Sequence, residues 1–420
     1  MVNNIKKLKE DNHLNLLAGT LRDFFCCKIE MSINSEANCT NQRKVLSNNK
    51  IRYCIKYKDL IINIDLTRNK IGDDYSDIDL YELLFFQINS NYLNNSFQSF
   101  DFNLIKSTLS KYLSSEKLTE NKIQYAIDYF DRLRTTSFEG QYFSTAMILT
   151  TSNLNKEQEE IESNYGKGIL SGLNKKNQKS LFDVIDRRFW FLISGEQSYY
   201  VCNSNLRITR VLAVDDTASG SYANNLMLFK TLRNDDILFR VHNEKEYSII
   251  SNRKEFVFLE NKWKYRNYDY VYSLLNESIY GSYDSIIESL MYFIFYCSKN
   301  SISSIIWFPK DFELVEAKNS VLKSKNRFLI KTSPNQIKID DKINRNILIR
   351  FLSSDGVTVF DSKGFLKYYG CIVDLETSSI DEIIGTGEVA TQILASNGVA
   401  IKVSQDGTIK LFIDKNKIEI

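Results

Sequence analysis

The stretch from Asp355 to Ser404 constrains this chain more than any other. Asp355-Gly356 opens a β-branched and aromatic run, Val357 to Phe360. Asp361-Ser362-Lys363-Gly364 then reads as a turn, and Phe365 to Cys371 as the returning strand of a hairpin. Gly385-Thr386-Gly387-Glu388 precedes Val389, Ala390, Ile393 and Leu394, whose spacing makes one apolar stripe of a helix and predicts Thr386 as its N-cap. Val399 to Ser404 supplies the next strand. The first backbone N–H groups of a helix have no intrahelical acceptor, so such a mouth attracts anions.

These motifs resemble those of the diadenylate cyclase domain, which joins two ATP molecules into cyclic di-AMP. That family starts a strand with Asp-Gly-Ala, turns through a hairpin, opens a helix with Gly-Thr-Arg-His-Arg-Ala and ends a strand in Val-Ser. Here Asp355 and Gly356 match, with Val357 in the alanine place; Gly385 and Thr386 match, and Gly387, Glu388 and Val389 stand where Arg-His-Arg would be. The order helix, strand, insertion, helix, Asp-Gly strand extends the resemblance over residues 280–420. It implies a nucleotide site made by Asp355, Gly356, Val357, Gly385, Thr386, Gly387 and Glu388. It also implies that Asp355 contacts ribose or holds Mg²⁺ or Mn²⁺ accompanying the nucleotide, and that two domains face each other as a homo-oligomer.

The departures bear on chemistry. The family reaction drives a 3′-hydroxyl onto an α-phosphate and expels pyrophosphate, so charge develops on oxygens and preorganised cations stabilise it. Losing one such donor costs on the order of 10²–10³ in rate, and here both arginines are gone and Glu388 is expected to repel phosphate. The expectation is therefore a sensor that binds a nucleotide or cyclic dinucleotide on a catalytically degenerate cyclase fold, acting through an effector protein in bacterial antiviral or stress signalling. One alternative is an active diadenylate cyclase with Asp355 catalytic and the missing cations supplied by Lys363, Lys402 or a partner chain. The other is a ligand-free interaction scaffold.

Length and pattern predict a mixed α/β (α+β) chain in three regions: a small α+β region over 1–98, a β-rich α+β domain over 99–272, and the cyclase-like domain over 273–420. The 54 basic and 52 acidic residues nearly cancel, which argues against a nucleic-acid backbone as partner. Seven cysteines form no Cys-x-x-Cys pair, and only His13 and His242 could join them on zinc, so the thiols read as reduced and structural. The amino-terminal residues show no apolar signal segment, and the longest apolar run, Leu290 to Cys297, is far shorter than a bilayer requires; a soluble cytoplasmic protein with no membrane partner is expected.

Other features carry weaker chemistry. Asp215-Asp216 follows an apolar strand, where a metal could sit, but the pair also suits a turn. The polar stretch 153–177 reads as a solvated helix and loop, with a lid as its alternative. Phe138-Glu139-Gly140 suits a turn more than a site. Trp263 and Tyr265 could stack a base, and a packed strand face is the plainer reading. Phe189 to Ile193, Tyr199 to Cys202 and Arg207 to Val214 are predicted strands, Leu80 to Ile88 a helix interrupted near Tyr92, and Asp284 the cap of a helix carrying Ile286, Ile287, Leu290, Met291 and Ile294. Ile343, Ile347, Leu348, Phe351 and Leu352 form the stripe before Asp355.

Overall fold

The structure, a computed structural model, describes residues 15–34, 43–47, 50–57, 60–67, 78–94, 100–142, 144–151, 169–172, 178–183, 187–193, 198–213, 235–242, 246–252, 254–259, 261–279, 281, 283–312, 322–326, 337–375, 385–413 and 416–420. It is mixed α/β, and contacts divide it into two compact units, Met1–Asn267 and Tyr268–Ile420. Among the described residues no helix is long and apolar enough to cross a membrane, and the six described cysteines form no disulfide.

The first unit begins with helix α1 (residues 15–25), which buries Leu17, Leu21, Phe24 and Phe25. Strands β1 (Lys28–Asn34), β2 (Arg43–Ser47), β3 (Lys50–Tyr57) and β4 (Leu60–Thr67) form an antiparallel sheet in the order β1-β4-β3-β2. β3 and β4 pair in antiparallel register from Tyr57 opposite Leu60 to Lys50 opposite Thr67. Helix α2 (Ile78–Asn94) packs on the sheet, Phe85 stacking on Tyr53 at 3.9 Å. It runs through Tyr92 to Asn94, into the stretch expected to interrupt it, because Asn and Ser tolerate a helix interior at a cost of only a few tenths of a kcal/mol, about 0.7 at most.

Helix α3 (Phe100–Tyr112) is followed by α4 (Glu120–Arg134), with Ser114 and Ser115 in the connection between them. Buried Lys106 of α3 ties them together by reaching Asp128 at 3.0 Å and Asp131 at 2.7 Å. A two-stranded ribbon, β5 (Ser137–Phe138) and β6 (Gln141–Tyr142), turns through Glu139 and Gly140, both at positive φ, so that pair serves a turn. The large sheet runs β15-β14-β13-β12-β7-β10-β11-β8, with β9 also on β11. Its strands are β7 (Thr145–Thr150), β8 (Ile169–Gly172), β9 (Lys179–Ser180), β10 (Ser198–Asn203), β11 (Arg207–Ala213), β12 (Ile237–His242), β13 (Glu246–Ser251), β14 (Lys254–Leu259) and β15 (Lys262–Asn267).

Phe189 to Ile193 corrects the sequence reading: it is not a strand but part of a short helix, α5 (Arg187–Phe191), and the turn after it. The reason is packing. Phe189 stacks on Tyr200 at 4.3 Å, while the Trp190 indole donates to the Tyr129 hydroxyl at 2.7 Å and meets Phe130 edge-on. Consecutive aromatics that both turn inward suit a helical turn, whereas a strand would send them to opposite faces.

The second unit opens with α6 (Tyr268–Ser278) and α7 (Asp284–Lys299). Its seven-stranded sheet has the order β17-β19-β18-β16-β20-β21-β22, built from β16 (Ser304–Pro309), β17 (Leu322–Asn326), β18 (Val357–Phe360), β19 (Leu366–Val373), β20 (Gly398–Val403), β21 (Ile409–Ile413) and β22 (Asn416–Glu419). Only β16 and β18 run parallel; the other pairs are antiparallel. Helix α8 (Arg345–Leu352) buries Leu348, Phe351 and Leu352 and delivers the chain to Asp355. Ile343 lies outside that stripe in a 3₁₀ turn, 90 % exposed. Helix α9 (Thr386–Ala395) lays Ala390, Leu394 and Ala395 on Trp307, Val357, Val359, Ala400 and Phe412.

Candidate functional site

Strand register places the candidate residues. Cys371, Val357, Ile305, Lys402, Lys410 and Glu419 stand abreast across β19, β18, β16, β20, β21 and β22. Because side chains alternate along a strand, this row shares a face with the row holding Val359, Trp307, Ala400 and Phe412, the face that α9 covers. The amino-terminal end of α9 meets the row at its middle. A Cβ on Gly387 would lie 3.7 Å from the Ile305 side chain and 3.0 Å from Lys402 Nζ. Ile305 is the strand partner of Val357, next to Gly356. The aspartate-led strand and the glycine-threonine helix mouth therefore share one end and one face of the sheet.

Each motif residue has a local reason. Gly356 has φ +100°, and a Cβ there would come 2.6 Å from the Cys371 carbonyl oxygen, so β18 can start beside β19 only with glycine. Asp355 just before it is exposed. The Val357 side chain is 1 % exposed and packed in the core, so only its backbone can meet a ligand.

The cap differs from the expectation. Gly385, extended at φ −65° and ψ 146°, is the N-cap, and Thr386 is the first helical residue; Tyr283 likewise takes the cap position expected of Asp284. The Glu388 and Val389 amides close the first turn on the Gly385 carbonyl, at 2.8 and 3.2 Å. The amides of Thr386 and Gly387 have no acceptor within the helix, and Gly385, having no side chain, cannot cap them.

Glu388 also corrects the sequence reading. It does not project as a free repelling charge; it is buried and ion-paired to Lys410 at 2.7 Å and to Lys417. Burial acts to raise its carboxyl, but hydrogen bonds from the two lysines outweigh that and hold it below the ordinary carboxylate value. Lys410 is held above the usual lysine value, its loss of hydration being more than offset by Glu388.

Lys402 is the unbalanced member. It makes no ion pair or hydrogen bond among the described residues, although its ammonium stands at the first turn of α9. Partial burial, with Lys410 and Lys417 adding to it, pushes Lys402 below the usual lysine value; Glu388 and Asp406 pull the other way without restoring it. A cation at the positive pole of a helix is in the unfavourable place for a cation and the favourable place for its counter-anion. Glu388 engages Lys410 and Lys417, with Glu419 beside Lys410 and Asp406 acting on Lys402, so among these lysines Lys402 is the one left without an ion pair among the described residues.

Lys410 and Lys417 were not singled out by sequence reasoning. A signal existed: Val403 and Ile409 flank the Gly407 turn, and pairing them sets Lys402 opposite Lys410. Among the described residues no three His, Cys, Asp or Glu side chains gather as a metal cluster. Trp263 and Tyr265 are buried in the first unit, with Trp263 against Phe258 and Tyr247, so they form a packed strand face. Asp215-Asp216 and most of the 153–177 stretch lie outside the described residues.

No family model and no curated protein matches this chain. Among solved structures it is similar to the crystal structure of a double mutant of DacA from Staphylococcus aureus, at 19 % identity and a TM-score of 0.24, over 32 % of this chain and 86 % of that one. A likeness at that score supports no conclusion about this chain.

Proposed function

We propose that the C-terminal unit binds the phosphates of a nucleotide or cyclic dinucleotide at the mouth of α9, and that it binds them without turning them over. The observation that carries this is Lys402: a part-buried ammonium that makes no ion pair or hydrogen bond among the described residues, set against a helix start whose first amides have no acceptor within the helix. Phosphate would satisfy the lysine, the two amides and the helix pole together. Asp355, at the same end of the sheet, would face the sugar or a divalent cation that arrives with the phosphates.

Turnover is disfavoured for a physical reason. Phosphoryl transfer needs cations fixed on the groups where charge develops. Here Lys410 and Lys417 are engaged by Glu388, leaving one flexible ammonium where a rigid guanidinium fork would be required. Titration calorimetry of the full chain with ATP, ADP, adenosine and cyclic di-AMP tests the reading. The phosphorylated ligands should bind, adenosine should not bind at this site, and Lys402→Met should weaken binding at least tenfold. Incubation with ATP and Mg²⁺ or Mn²⁺, followed by mass spectrometry, should give no cyclic dinucleotide; a product lost in Asp355→Ala would overturn the non-catalytic reading.

A further inference from the structure

One surface of the first unit holds apolar and cationic side chains in solvent together. Tyr125, Tyr129 and Arg132 follow one another at helical spacing along α4, beside the stripe of Ile123, Ile127, Phe130 and Leu133 that the helix buries. At one end of this row Phe182, in the turn after β9, lies on Tyr125 at 4.2 Å and is 54 % exposed. Further along, Tyr129 meets Trp190 of α5 at 5.6 Å, and the chain then presents Phe191 and Leu192 to solvent, 46 % and 75 % exposed. Phe191 packs on Phe138 of β5 at 5.0 Å, and Arg187 donates to the Ser137 carbonyl at 3.1 Å, so the row ends on the β5–β6 ribbon.

The unit's own core does not account for this face. Trp190 and Ile193 turn inward and close the core, and the two large apolar residues between them are left outside. A single exposed apolar residue is ordinary; three on one aromatic strip are the mark of a docking surface.

The cations select the occupant. Arg132 donates through Nε to the Asp128 carbonyl at 3.2 Å, while the Asp128 carboxylate is engaged by Lys106 and Gln124. Arg187 reaches only the Ser137 carbonyl, and neither guanidinium makes an ion pair among the described residues. The exposed carboxylates at the margins, Asp183 beside Phe182 and Glu139 at the tip of the ribbon, pair with neither arginine. Guanidinium forks beside protruding apolar side chains complement carboxylates set beside apolar side chains. Phe, Tyr and Arg are also the residue types that dominate the energetic centres of protein interfaces. A single strand of nucleic acid would call for open ring faces, and here Tyr125 and Phe138 already have ring neighbours in Phe182 and Phe191.

We infer that this face docks another protein through an acidic segment in which leucine or aromatic side chains are interspersed with aspartate or glutamate. The apolar side chains pack on Phe182, Phe191 and Leu192, and the carboxylates take Arg132 and Arg187.

The test is selection of random peptides displayed on phage against the full chain, with the double variant Leu192→Ser/Arg132→Glu run in parallel. Both side chains are exposed, so the variant should melt with the wild type. Peptides enriched on the wild type and lost on the variant should carry carboxylates and apolar residues together. A synthetic copy of the most enriched should bind the variant, and separately Arg187→Glu, at least tenfold more weakly by fluorescence polarisation. Lysine in place of its acidic residues should abolish binding, and Lys402→Met should leave binding unaltered. Enrichment indifferent to Leu192 and Arg132, an enriched set without carboxylates, full affinity for Arg187→Glu, or binding that survives the lysine replacement would each overturn the inference. So would variant-sensitive binding of oligo(dT) or of phosphatidylserine vesicles in place of the peptides, which would make the face a nucleic-acid or membrane surface.

Discussion

Replacing Lys402 with methionine should stabilise the unliganded protein while removing its response to phosphate ligands. Methionine keeps most of the side-chain length, so the packing against Ile305 and Gly387 changes little and the charge is what is lost. A cation at the positive end of a helix is unfavourable by about 0.3–1 kcal/mol. Relief of its incomplete hydration adds to this, so a gain near 1 kcal/mol is expected, or about 2–4 °C in melting temperature for a unit of this size. The sign of the pH dependence is specific. Because burial sets the Lys402 value in the folded protein below the unfolded value of 10.5, the penalty is full at neutral pH and fades as pH climbs through the lowered value toward 10.5. Melts of both proteins in dilute amine buffer should therefore show a gap at pH 7 that closes by pH 10.5, and that narrows in about 1 M salt, where the screening length is about 3 Å. If the variant melts lower at every pH and still responds to ATP, the lysine is structural and the reasoning fails.

Three further outcomes follow from the same geometry. Gly356→Ala places a methyl 2.6 Å from a backbone oxygen at a φ that alanine resists, so it should cost about 2–4 kcal/mol in urea unfolding; a change below about 0.5 kcal/mol would contradict the close strand start. Glu388→Gln should destabilise the chain by about 1–2 kcal/mol near pH 7, discounted for the exposure of Lys417, yet tighten ATP binding by removing a carboxylate that ion-pairs with Lys410 and Lys417. The wild-type advantage over that variant should persist above pH 4.5 and disappear as acid takes the carboxylate through its lowered value, which paired melts from pH 7 to pH 3 would read.

Much of the C-terminal unit could be read from the sequence because its elements are short and strongly patterned. The hairpin through Asp361 to Gly364, the α9 stripe and the strand from Val399 occur where the apolar spacing puts them. The helix cap lies one residue before the expected Thr386, because glycine caps about as well as threonine and Gly385 takes the extended conformation there. Phe189 to Ile193 misled because a short aromatic run fits either period, and contacts with Tyr129 and Tyr200, distant in sequence, settle it. The charge state of the site was hidden for a related reason. Glu388 looks repulsive as a letter beside Gly387, and only the fold brings Lys410 and Lys417, 22 and 29 residues away, onto its two oxygens.

The most direct measurement is the amide spectrum of the isotopically labelled full chain titrated with ATP. The account predicts saturable shifts centred on Thr386, Gly387 and Gly356, weakened in parallel by Lys402→Met. Shifts confined to other parts of the chain, or a spectrum unmoved at millimolar ATP, would contradict it.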